Sequence, residues 1–79
     1  MDYEKYTTDE RKKMLEQRVL ETEKEVFRLT LEKESFEGLL TSKVGNTSQK
    51  AAEVLAEIFS ALEIVTARLE TAKELLSKL

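Results

Sequence analysis

Three pairs of glutamates are the residues of this chain best spaced to bind a metal ion. The two members of each pair lie four residues apart, so in a helix both carboxylates would project from one face. The pairs are Glu21 and Glu25, Glu53 and Glu57, and Glu70 and Glu74. Helical di-metal proteins also use a Glu-x-x-His motif, and this chain has no histidine. Because a hard cation needs several convergent carboxylates, we interpret the pairs as a solvated charged face and predict neither a metal site nor a cofactor.

The sequence offers no catalytic nucleophile with a base beside it. Histidine and cysteine are both missing, so the commonest general base and the most reactive nucleophile are unavailable. Four hydroxyl groups lie where helices are predicted to begin, and there they suit helix caps. These hydroxyl residues are Thr7, Thr8, Thr47 and Ser48. We therefore predict no catalytic residue and no enzymatic activity.

The composition indicates long helices and argues against a nucleic-acid partner. Charged residues make up 37% of the 79 residues and proline is absent, which is typical of long helices when helical spacing is also present. The net charge is only −3, with both signs spread along the whole chain, and this argues against nucleic-acid binding. The basic run Arg11-Lys12-Lys13 follows Asp9 and Glu10, so we interpret it as ordinary surface.

No segment of the sequence suits a membrane or secretion. Residues 1–14 are polar and lack the apolar core of a signal peptide, and no apolar run approaches the length of a membrane span. The lack of cysteine fits a reducing compartment. We therefore predict a cytoplasmic protein with no membrane partner, and we interpret the sequon Asn46-Thr47-Ser48 as part of a turn.

The strongest pattern in the chain is a ladder of apolar residues in its second half. Its steps alternate between four and three residues, which is the a/d seam of a coiled coil and serves to pack against another helix. The ladder consists of Ala51, Leu55, Ile58, Leu62, Val65, Leu69, Ala72, Leu76 and Leu79. It predicts a helix over about residues 48–79.

A weaker seam with the same spacing lies in the first half. It consists of Leu15, Val19, Thr22, Val26, Leu29, Lys33, Phe36 and Leu40. This seam predicts a helix over about residues 8–43, begun by a capping box between Thr7 and Glu10. Gly38 lies inside that helix, where it marks either the close approach of another backbone or a weak point.

Lys33 is the unusual member of the first seam. We interpret its stem as packed while its ammonium group reaches water or Glu37. The alternative is that a polar seam residue fixes the register or the oligomeric state.

A turn at residues 44–48 is predicted to fold the two helices back on each other. Gly45 suits the left-handed position that follows a helix, and Asn46 is suited to cap the next helix, with Gln49 completing a capping box. A register that sets Leu15 opposite Leu76 then pairs every layer of the two seams. The predicted fold is a single all-α domain over residues 1–79, an antiparallel two-helix hairpin of coiled-coil type. Dimerisation or partner binding would complete a four-helix bundle.

The predicted hairpin leaves apolar side chains outside its seam. We assign them to an interaction face made of Val54, Phe59, Ala61, Ile64 and Leu75 on the second helix and Leu20, Phe27 and Leu31 on the first. Exposed apolar patches of this size mark interaction sites. The sequence therefore predicts a non-enzymatic protein–protein interaction module, an adaptor or assembly factor that acts through the second helix. Its partner is a second copy of the chain, a helical protein, or both.

A small chaperone or inhibitor that masks an apolar helix of a client is the alternative function. In size and architecture the predicted hairpin resembles the small helical-hairpin co-chaperones of type III secretion needle subunits. The resemblance covers the overall plan and includes no sequence motif. It implies marginal stability alone and strong stabilisation by a client.

Overall fold

A computed structural model describes residues 5–79 and shows an all-α antiparallel hairpin. Helix α1 spans Thr8–Glu37 and helix α2 spans Thr47–Ser77, and the two are in contact with each other. The molecule measures 57 × 19 × 15 Å, with a radius of gyration of 17.7 Å against about 12 Å for a compact domain of this length. The described residues therefore form a single pair of helices, in which α1 and α2 pack only against each other. The predicted two-helix hairpin is confirmed, and the four-helix bundle stays a prediction.

Helix α1 begins at the capping box that the sequence predicts. The backbone N–H of Glu10 donates to the Thr7 hydroxyl at 3.2 Å, and the backbone N–H of Thr7 donates to the Glu10 carboxylate at 3.2 Å. Asp9 and Glu10 also place negative charge in the first turn, where the helix dipole favours it. The N-terminus of α1 is therefore specified by residues next to one another in the sequence.

Helix α1 ends at Glu37, well before the predicted end near residue 43. Gly38 caps it in a right-handed conformation, with φ −63° and ψ −24°. A Cβ at Gly38 would touch only backbone oxygens of the same helix, the nearest being that of Ser35 at 3.4 Å. Gly38 is therefore a weak point where the helix stops, and close approach of another backbone does not explain it. Leu40 falls beyond the helix and is 43% exposed, so its assignment to the seam is wrong.

The connection between the helices occupies residues 38–46 and differs from the predicted turn. Gly45 does have a positive φ of +55°, but it lies just before α2 instead of ending α1. The Thr47 N–H donates to the Val44 carbonyl at 3.1 Å across this glycine. Asn46 is the N-cap of α2, yet its side chain makes no capping hydrogen bond, so the predicted box with Gln49 does not form.

The two glycines of this connection are expected to respond in opposite ways to alanine. Gly38→Ala should raise the free energy of unfolding by about 0.5–1 kcal/mol, because its backbone is already helical and alanine restricts the unfolded chain. Gly45→Ala should lower it by about 1–2 kcal/mol, because alanine is strained at positive φ. Urea denaturation followed by circular dichroism measures both. A loss of stability in Gly38→Ala would contradict the backbone conformation described for this position.

The core of the hairpin is the pair of seams. Within the two helices every seam residue of the sequence is buried or half-buried. The buried apolar residues are Leu15, Leu29, Ala51, Leu55, Ile58, Val65 and Ala72. Thr22 is the buried polar residue in the described part of the chain, and its hydroxyl donates to the Arg18 carbonyl at 2.6 Å. The core is therefore a single row of side chains between two helices.

Lys33 contacts an aromatic ring across the hairpin. Its Nζ lies 5.6 Å from the centroid of the Phe59 ring, which is within the range of a cation–π interaction. The predicted register places Lys33 opposite Ile58, so contact with the next residue of α2 agrees with that register. Lys33 is half-buried, as expected for a packed stem. In the structure its charge is directed to Phe59 and not to Glu37, which corrects the predicted partner.

Candidate interaction surface

The hairpin exposes more surface than a compact protein of its mass. Its accessible surface is 6153 Å², against about 4,900 Å² for a folded monomer of 9.1 kDa. The excess is larger than the roughly 800 Å² that each partner contributes to a standard protein–protein interface. Many large apolar side chains lie in that surface. An extended hairpin with so many exposed apolar residues suggests a protein partner or an oligomer.

The structure places most of the predicted interaction residues in solvent. Six of them count among the exposed large apolar residues, namely Leu20, Phe27, Leu31, Phe59, Ile64 and Leu75. The other two, Val54 and Ala61, are half-buried. Exposed apolar side chains outside the predicted interaction face are Tyr6, Met14, Leu39, Leu40, Val44 and Leu79. Leu79 lies beyond the end of α2 at Ser77, so its assignment to the second seam is wrong.

A groove of about 600 Å³ lies between the helices at the end remote from the connection. We call it the open-end groove, and its main lining residues are Met14, Leu15, Arg18, Ile64, Arg68 and Leu75. Ala72 and Leu15 belong to the core and form its floor, whereas Met14, Ile64 and Leu75 are exposed. The groove brings two predicted residues of α2, Ile64 and Leu75, against the first half of α1.

A second hollow of about 400 Å³ lies along α2. Phe59, Leu62 and Ala67 form its apolar part, and the carboxylates of Glu63 and Glu70 border it. Ala67 also borders the open-end groove. The predicted interaction face of α2 is therefore divided into two surfaces, with Ile64 and Leu75 on one and Phe59 on the other.

The two surfaces differ in charge. Among residues 5–79, Arg18 and Arg68 are the charged residues that line the open-end groove, and no acidic residue of this range lines it. Both arginines are exposed, and neither guanidinium has an ion-pair or hydrogen-bond partner among residues 5–79. Arg28, by comparison, pairs with Glu32 at 2.9 Å and Glu25 at 4.0 Å. The groove thus combines an apolar floor with two uncompensated positive charges.

Neither the two arginines nor Met14 was predicted from the sequence to be a binding residue. A signal for the arginines exists, because Arg18 directly precedes the seam residue Val19 and Arg68 directly precedes Leu69. A residue in that position flanks the seam, so both arginines fall beside the interface of the two helices. Met14 has no such signal that separates it from other exposed residues.

The apolar floor and the two arginines of the open-end groove suit the binding of apolar and anionic groups.

In the described residues 5–79 no group of three or more acidic side chains is placed to hold a metal ion. No helix within this part of the chain is long and apolar enough to cross a membrane. Comparisons with protein-family models, with curated proteins and with solved structures found no match to this chain.

Proposed function

We propose that this chain is a non-enzymatic protein–protein interaction module that binds other helices through apolar side chains of α2. The observation that carries the proposal is the exposure of Phe59 (48%) and Ile64 (62%) on a helix whose seam is already occupied by α1. Helices of a second hairpin, in a four-helix bundle, or helices of a different protein would cover these side chains. The role in the cell would be that of an adaptor or assembly factor.

Burial of these two side chains would strengthen association by a measurable amount. Complete burial of a phenylalanine or isoleucine contributes about 1.5–3 kcal/mol, and each 1.4 kcal/mol changes a dissociation constant about tenfold. A glutamate at either position would instead place a charge in the interface. At position 59 that charge would lie beside Lys33, so the hairpin itself should stay folded.

The test compares the wild-type chain with the variant Phe59→Glu/Ile64→Glu. Light scattering coupled to size exclusion, over a wide range of concentrations, should show a dimer whose dissociation constant rises at least about 100-fold in the variant. Val44→Glu is the control for a glutamate placed outside α2, because Val44 is 75% exposed but lies in the connection, and the association of this variant should be unchanged. Circular dichroism verifies that each variant is folded.

Two results would contradict the proposal. One is association of equal strength in the wild type and the double variant. The other is a wild-type chain that is monomeric throughout and captures the same proteins from its source lysate as the double variant does.

A client-masking chaperone or inhibitor is the second candidate, and the open-end groove is the observation that favours it. A groove between two helices suits a third helix, which enters with its apolar side chains. A client would stabilise the hairpin by mass action, so the melting temperature should rise with client concentration. A self-associating module would instead melt at a temperature that rises with its own concentration.

A further inference from the structure

We infer that the open-end groove binds an amphipathic helix of a different protein that carries two carboxylates beside its apolar stripe. The inference deepens the proposed function and rests on it, since it names the chemistry of the partner. Its basis is the pairing, in one groove, of an apolar floor with two arginines that have no partner among the described residues.

The apolar part of the groove has the length of a short helix. The lining of α2 extends from Ile64 to Leu75, which corresponds to about 16 Å at 1.5 Å per residue. That length matches about three turns of a docked helix. Met14 and Leu75 flank the floor and are exposed in the hairpin, so a docked helix would remove them from water. This contact supplies affinity and does not select the charge of the partner.

Arg18 and Arg68 determine which charge the docked helix should carry. A helix that covers the groove would partly desolvate Arg18 and Arg68, and a charge that loses water without gaining a partner is costly. Carboxylates on the incoming helix would compensate both guanidinium groups through charge-assisted hydrogen bonds. A neutral helix would leave the arginines uncompensated, and a basic helix would be repelled. The groove therefore favours an acidic partner although the chain itself carries a net charge of −3.

The register gives the spacing of the two carboxylates. If Leu15 lies opposite Leu76, Arg18 lies level with Lys73, which is five residues from Arg68 along α2. This separation is about 7.5 Å along the hairpin axis. Residues four apart in a helix differ by about 6 Å in height, within the reach of two arginine side chains. The partner is therefore expected to present acidic residues in an i, i+4 pair.

A second copy of the chain fits this groove poorly. In a two-fold dimer that met through the groove, the arginines of one copy would approach those of the other, because such interfaces are self-complementary. The hollow with Glu63 and Glu70 has the opposite charge. Its two glutamates are seven residues apart, about 10 Å along the helix, whereas the two arginines are about 7.5 Å apart along the hairpin. A contact between groove and hollow would also be head-to-tail, which forms open chains unless the rotation closes.

The experiment measures peptide binding to the full chain by fluorescence anisotropy. The probes are three labelled amphipathic helical peptides with the same leucine stripe and with glutamate, glutamine or lysine at the i and i+4 positions. The wild-type chain should bind the glutamate peptide at least tenfold more tightly than the lysine peptide. The variant Arg18→Glu/Arg68→Glu should reverse this preference. Lys24→Glu/Lys50→Glu makes the same change of net charge outside the groove and should keep the wild-type preference.

Besides a failure of every peptide to bind, four outcomes would overturn the inference. If the glutamate and lysine peptides bind equally and neither binds to Ile64→Glu, the groove binds helices without selecting their charge. The proposed function would then still hold. If the preference for the glutamate peptide also reverses in Lys24→Glu/Lys50→Glu, the preference depends on the net charge of the chain and not on the groove. A change of oligomeric state in Arg18→Glu/Arg68→Glu without peptide would identify a second copy as the occupant. Arginine-dependent binding to anionic phospholipid vesicles without peptide binding would identify a membrane surface.

Failure of the inference is separable from failure of the proposed function. If no peptide binds while Phe59→Glu/Ile64→Glu still abolishes association, only the groove assignment is wrong. If no peptide binds and that variant associates like the wild type, both are wrong.

Discussion

Replacing Ile58 by alanine is expected to lower the free energy of unfolding by about 2–5 kcal/mol. Ile58 is 5% exposed and belongs to the seam of α2, so the substitution removes buried methyl groups and leaves a cavity between the helices. A hairpin with a single row of core residues has few other contacts to compensate. Urea denaturation monitored by helical circular dichroism, at a concentration where the chain is monomeric, measures the loss. A large fraction of the variant should be unfolded without denaturant.

Ile64→Ala is the matched control for this substitution. It deletes the same atoms from a side chain of the same helix that is 62% exposed, and alanine has the higher helix propensity. The free energy of unfolding should therefore change by less than about 0.5 kcal/mol. Equal losses in the two variants would contradict the assignment of Ile58 to the core and of Ile64 to the surface.

The seams were predictable because burial in a helix pair depends on one periodic property of the sequence. Leu55, Ile58 and Leu62 are separated by steps of three and four, and this spacing is sufficient to place them on the face toward α1. The capping box at Thr7 and Glu10 was predictable for a related reason, since both partners lie within one turn. Features that depend only on neighbouring residues, or on one repeat length of the apolar pattern, can therefore be predicted before the fold is known.

The end of α1 was not predictable from the period. Leu40 continues the step of four from Phe36, so the pattern extends past Gly38 without interruption. Periodicity reports which side chains share a face and gives no measure of whether the backbone stays helical. The helix ends where a glycine weakens it and where little packing remains to offset that cost. The exposure of Leu40 follows directly from this earlier end.

The open-end groove was not predictable because it is a property of both helices together. Arg18 and Arg68 lie fifty residues apart in the sequence and share a groove only after the hairpin closes. Their lack of partners depends on which carboxylates come within reach, and that also requires the fold. Phe59 shows the same limit, because its contact with Lys33 follows from the register and not from either residue's local sequence.

Replacing the polar seam residues Thr22 and Lys33 by apolar residues is expected to stabilise the hairpin. The double variant Thr22→Val/Lys33→Leu should raise the free energy of unfolding by about 1–2 kcal/mol. Thr22 is 6% exposed and its hydroxyl bonds only to a carbonyl of its own helix, so valine replaces a buried polar group by a methyl group. Leucine at position 33 keeps the packed stem and buries more apolar surface, at the loss of a cation–π contact worth about 0.5–1 kcal/mol.

The two sites should contribute independently, since they are about 16 Å apart along α1. Thr30→Val is the control, because the Thr30 hydroxyl makes the same kind of bond, to Val26 at 2.8 Å, but lies off the seam. Its effect should be close to zero. Light scattering of the double variant also tests whether Lys33 specifies pairing. An unchanged oligomeric state with higher stability would show that these residues only weaken the core. A new oligomeric state would instead show that a polar seam residue is retained here because it restricts how helices can associate.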